Sequence, residues 1–71
     1  MENDKTYVRD GFSVVCYLVD GMWRFTLVYN IAGTDYQYQD TQGYRTHNAA
    51  FSNAQAHYQE HRRKVAVDGS D

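Results

Sequence analysis

Between Phe12 and Asp40 apolar and polar residues come in strand-like runs, and beyond them the spacing changes to steps of three and four. The first run, Phe12 to Val19, holds eight uncharged residues rich in valine and aromatics, the composition of a buried strand. Asp20-Gly21 follows, a dipeptide suited to a two-residue type I′ hairpin because both positions tolerate positive φ. Met22 to Asn30 reads as a second strand, Ala32-Gly33 as a second turn, and Thr34 to Asp40 as a third strand. The two turns set the register by arithmetic. Val19 faces Met22, Leu18 faces Trp23, Cys16 faces Phe25 and Val14 faces Leu27; beyond the second turn, Tyr29 faces Tyr36 and Leu27 faces Tyr38. One face then collects Phe12, Val14, Cys16, Leu18, Trp23, Phe25, Leu27, Tyr29, Tyr36 and Tyr38. A slip of one residue would scatter that set.

Gln42-Gly43 interrupts the pattern, and Thr46 is placed to cap a helix by accepting a bond from a first-turn N–H. Phe51, Ala54, Tyr58, His61 and Val65 recur at three- and four-residue steps and define one stripe. The expectation is an α+β fold: a three-stranded antiparallel meander with one C-terminal helix on one face. Trp23, Phe25 and Leu27 should pack against Phe51, Ala54 and Tyr58. With 71 residues there is room for a single domain, with an ordered core at about 6–66 and loose ends at Met1–Lys5 and Asp68–Asp71.

Charge and composition narrow the function without naming it. The net charge is −2 with both signs scattered, so nothing argues for an anionic membrane surface or for nucleic acid. The polar Met1–Lys5 segment has no apolar leader core and no run is long enough to span a bilayer, so a cytoplasmic chain is expected. Cys16 is the only cysteine, which rules out an internal disulfide and fits a reducing compartment. Seven tyrosines in so short a chain suit half-buried strands and adhesive surfaces alike.

Three chemical readings fare poorly on the residues themselves. His57-Tyr58-Gln59-Glu60-His61 has the H-x-x-E-H spacing of an inverted zinc-peptidase motif, with both imidazoles on one helix face. A catalytic zinc wants a third ligand and a cleft, and neither is evident, so His61 reads as a stripe residue and His57 as its solvated neighbour. Cys16 points inward beside Phe25, where a thiol behaves as a small hydrophobe rather than a nucleophile. Arg24, Arg45 and the Arg62-Arg63-Lys64 cluster could meet phosphates. The third strand instead exposes Asp35, Gln37, Gln39 and Asp40, and the helix cations suit the negative end of the helix dipole. No catalytic residue, metal or cofactor is expected.

The second face of the sheet is harder to explain as ordinary surface. It carries Val15, Tyr17, Val19, Met22, Arg24, Thr26 and Val28, and one helix can cover only one face. A contiguous apolar patch of this kind marks a partner surface, unless Tyr7-Val8 folds back over it. The strand Phe12–Val19 is moreover expected at an edge, uncharged and open to pairing. These features point to a non-enzymatic interaction or accessory protein that binds itself, as a homodimer, or another protein through Val15, Tyr17, Val19, Met22, Arg24 and Val28. The alternative is a nucleic-acid-binding module using the same face and its basic residues.

Asp20-Gly21-Met22-Trp23-Arg24-Phe25-Thr26-Leu27 resembles the core strand of the small YegP-like ββα domains, which carry a turn glycine, then an aromatic, Arg, Phe and Leu at similar spacing. Tyr44-Arg45-Thr46, followed by Ala50 and Ala54, is similar to that family's helix entry. The resemblance covers about half of the chain and implies a fold rather than an activity. The third strand here is longer and richer in tyrosine and glutamine than that pattern. A second likeness, to the arm-binding N-terminal domains of phage-type integrases, rests on Trp23-x-Phe25 and Thr46-x-x-x-Ala50. It implies DNA contact, yet those domains are basic where this chain has Asp35 and Asp40. Small standalone domains of this kind are common accessory products of phages and mobile elements, an association that the residues themselves do not derive.

Overall fold

The computed structural model describes residues 4–69, with side chains described as far as residue 66. Among the described residues four strands and one helix follow one another in chain order: β1 (Lys5–Arg9), β2 (Phe12–Val19), β3 (Met22–Ile31), β4 (Thr34–Gln39) and α1 (His47–Gly69). The strands form one antiparallel sheet in the order β1-β2-β3-β4, so each pairs with its neighbour in sequence.

Both expected turns are present and carry the left-handed backbone that their sequences permit. Asp20 and Gly21 have φ of 52° and 79°, and Ala32 and Gly33 have 53° and 86°. The ladders they close match the expected register: Val19 pairs with Met22, Cys16 with Phe25 and Val14 with Leu27, and Tyr29 pairs with Tyr36 and Leu27 with Tyr38.

The sheet has four strands rather than three. Lys5–Arg9 is too short and too polar to show a hydrophobic period, yet its backbone pairs with β2 from Lys5↔Cys16 to Arg9↔Phe12. Asp10-Gly11 makes the turn, with Gly11 at φ 92°. A side chain there would meet the Tyr58 hydroxyl, 2.7 Å from the place a Cβ would occupy, so glycine serves both the turn and the helix packing. Two expectations change as a result. β2 is an interior strand, not an edge, and Lys5 belongs to the sheet rather than to a loose end. At the other terminus α1 continues through Asp68 to Gly69, since nothing between Lys64 and Asp68 breaks a helix. Asp4 is described just ahead of β1, half-buried, and the other residues of the expected loose ends lie outside the described ones.

The core lies between α1 and one face of the sheet, over β2 and β3. Val14, Cys16, Leu27, Ala50 and Ala54 are fully enclosed, with Phe12, Phe25, Tyr29, Ile31 and Tyr58 around them. Alanines at positions 50 and 54 let the helix backbone approach the sheet closely. Trp23 departs from expectation: it is only half-buried at the margin, beneath the start of the helix, with its ring 5.3 Å from that of His47.

The link from β4 to α1 is built on Asp40, which lies just past β4 and is a buried carboxylate rather than the exposed strand end expected. Its two oxygens accept from the N–H groups of Gln42 at 3.1 Å and Gly43 at 2.9 Å. The turn returns Tyr44 to the sheet, where it exchanges two backbone hydrogen bonds of 2.6 Å with Trp23. Thr46 then caps the helix, its hydroxyl accepting from Ala49 N–H at 3.1 Å.

Candidate functional site

With the helix on one face, side-chain alternation sends every second residue of each strand to the other. On that open face β3 contributes Met22, Arg24, Thr26 and Val28. β2 contributes Val15, Tyr17 and Val19 alongside, and β4 contributes Gln37 and Gln39. Val15, Tyr17, Val19 and Arg24 are half-buried by one another, while Met22 and Val28 are exposed, Val28 at 46%. The expected interface residues therefore do stand together on one side of the sheet. Val8 joins them. It pairs with Ser13 on β1 and is 72% exposed, so the N-terminal segment widens the face instead of covering it. Tyr7, one residue earlier, turns to the helix side and packs on Phe51 with ring centroids 4.5 Å apart. The sign available in the sequence was Asp10-Gly11, a third turn dipeptide with Tyr7-Val8 just before it.

Arg24 is the unusual member of this surface. Tyr17 is its partner on β2, and Gln39 on β4 faces its β3 neighbour Thr26. The Tyr17 hydroxyl accepts from Gln39 Nε2 at 3.2 Å, so the phenol crosses β3 between Arg24 and Thr26. Beside this bridge the Arg24 Nε is enclosed and has no hydrogen-bond partner among the described residues. Arg24 is thus a half-buried cation within the patch, with one donor enclosed. Its natural complement is a carboxylate, which it can hold by two parallel bonds.

The remaining candidates make contacts within the fold. All three histidines meet a tyrosine of the sheet. The Tyr7 hydroxyl lies 2.6 Å from His47 Nδ1, the Tyr29 hydroxyl lies 2.6 Å from His61 Nδ1, and Tyr38 stacks on His57 at 3.8 Å. His57 is thus half-buried under a ring, not solvated. Burial pushes its pKa down, and His61 and Lys64 push it further the same way. Glu60 pairs with Arg63 on the helix surface. No group of three or more His, Cys, Asp or Glu among the described residues is placed to hold a metal ion.

Cys16 is enclosed beside Phe25, and burial raises its thiol to about 11, far from the thiolate a nucleophile needs. The basic residues do not converge. Arg24 is on the open face, while Arg62, Arg63 and Lys64 ride on the helix across the sheet. They also lie ahead of the helix's last turn, which holds no basic residue, because α1 runs on to Gly69. No described helix is long and apolar enough to cross a membrane. No protein-family model matches the chain, and no curated protein or solved structure shows significant similarity to it.

Proposed function

We propose that the chain is a non-enzymatic interaction protein whose working surface is the open face of the sheet. Its partner is a protein that presents a carboxylate to Arg24 and apolar side chains to Val8, Val15, Tyr17, Val19, Met22 and Val28. The observation that carries this reading is the enclosed, unpartnered Arg24 Nε inside that patch. Burying such a donor without a partner costs free energy, so Arg24 is held at this place against the stability of the isolated chain.

The patch favours a different protein over a second copy. A two-fold axis along β3 would bring Arg24 against Arg24 of the other copy. An axis across the strands at the middle of β3 would lay Met22 on Asn30 and Val19 on the Gly11 turn. A nucleic-acid surface is less well supported, since Arg24 is the face's one cation among the described residues and Asp35 shares that face.

The test is site-specific photo-crosslinking from position 28 in the native host, followed by reconstitution with the purified partner. Arg24→Met, and Tyr17→Asp combined with Val28→Asp, should each abolish the adduct and the reconstituted complex. Arg62→Ala with Arg63→Ala should leave both intact. An adduct indifferent to Arg24 would refute the assignment, as would salt-dependent DNA binding that depends on Arg62 and Arg63.

A further inference from the structure

The two edges of the sheet differ in how they meet solvent. β1 is five residues long and carries Lys5 and Arg9, the charged, short design that discourages strand addition. β4, Thr34-Asp35-Tyr36-Gln37-Tyr38-Gln39, has no cation and no proline, and its one charge is Asp35.

The ladder fixes which of its backbone groups are free. Asp40 N–H donates to Phe25 O at 2.9 Å, and Asn30 N–H donates to Gly11 O at 3.0 Å. Odd residues of β3 therefore bond toward β4 and even ones toward β2. Hydrogen-bonded pairs alternate with non-bonded ones in an antiparallel ladder. So Tyr36 and Tyr38 spend their N–H and C=O groups on β3, while Asp35, Gln37 and Gln39 direct theirs outward from the edge.

We propose that this edge pairs antiparallel with β4 of a second copy, about a two-fold axis at Gln37. The pairing joins two four-stranded sheets into one continuous sheet. In this register Gln37 faces its own counterpart, Asp35 faces Gln39 and Tyr36 faces Tyr38. All three outward-directed residues of each chain are used, giving about six intermolecular backbone bonds. No like charges oppose each other, because the carboxylate of Asp35 meets an amide. Tyrosine meets tyrosine on the helix face, a favourable cross-strand pair.

The helices allow the pairing. A two-fold normal to the sheet sets both helices on the same side. Each lies over β2 and β3 and reaches β4 through Tyr36 beside His61 and Tyr38 beside His57. With strands about 4.8 Å apart, the helix axes stand roughly 19 Å from one another. Directly packed helices need only about 8–10 Å, so the helices do not collide, and the tyrosines of both chains line the space between them. The open faces stay uncovered and end side by side, so this dimer is compatible with the partner surface proposed above and does not depend on it.

Sedimentation velocity on the full chain across micromolar concentrations tests the pairing, together with amide hydrogen exchange. The wild type should be a dimer, with the amides of Asp35, Gln37 and Gln39 protected at high concentration and released on dilution. Gln37→Lys places like charges opposite each other at the axis, on an exposed side chain that the monomer does not need. Gln37→Pro removes an outward N–H that the β3–β4 ladder does not use. Each should weaken the dimer by about tenfold or more while leaving far-UV circular dichroism unchanged. A monomeric wild type throughout the range would overturn the proposal. So would a dimer that survives both Gln37 variants and falls to Tyr17→Asp with Val28→Asp, which would place self-association on the open face.

Discussion

Replacing Arg24 with methionine separates a residue kept for binding from one kept for folding. Methionine retains an unbranched stem against Tyr17 and Thr26 but removes the enclosed Nε, which has no partner among the described residues. A buried donor left unsatisfied costs about 1–3 kcal/mol. Arg24 is only half-buried, so the lower end applies, about 1 kcal/mol. For a chain of this size that gain raises Tm by roughly 4–8 °C. The assay is a thermal melt of the isolated chain at low concentration, read by circular dichroism, beside affinity for the crosslinked partner. The expected result is a more stable protein that binds less well, the pattern of a site under functional constraint. A variant that melts several degrees below wild type would refute the reasoning, since Arg24 would then be holding the sheet together.

Three further outcomes follow from the interior. Phe25 is 2% exposed whereas Trp23 sits at the margin, so Phe25→Ala should cost about 3–5 kcal/mol and Trp23→Ala clearly less; denaturant midpoints that rank them the other way would reject this placement of the core. His57 titrates below its ordinary 6.5 when folded, so the unfolded chain binds the extra proton. Stability is then full above about pH 7 and declines as pH falls through 6.5 toward the folded value, and His57→Gln should flatten that limb in urea titrations. Cys16, with its thiol raised to about 11, should resist alkylation at pH 8 in the native chain and react promptly in denaturant. Rapid labelling of folded protein would show that the site opens.

Those interior positions were legible because two X-Gly turns and an alternating apolar set agree on one register. Neither constraint alone would have placed Cys16 opposite Phe25. β1 was not legible, because Lys-Thr-Tyr-Val-Arg owes its strand to hydrogen bonds with β2 and not to burial, and only Tyr7 of the five turns a half-buried side chain to the core. His57 was misread for a related reason. A polar residue beside an apolar stripe looks solvated until a stacking partner from a distant strand is known, and Tyr38 is nineteen positions away. The open face could be seen as a patch, whereas the enclosure of Arg24 depends on a Tyr17–Gln39 bridge spanning three strands. Side-chain bridges of that length leave no periodic trace.

The order of elements has a consequence for how the chain comes into being. Every strand pairs with the one made just before it, so the hairpins can zip in succession without long loop closures, which favours fast folding. The helix that covers Phe12, Val14, Phe25, Leu27 and Tyr29 follows all four described strands in the chain. During synthesis the finished sheet therefore emerges with both faces bare. Until α1 leaves the ribosome, the nascent chain is at its most adhesive, and a ribosome stalled before Tyr58 would present a sheet ready to aggregate or to engage a chaperone.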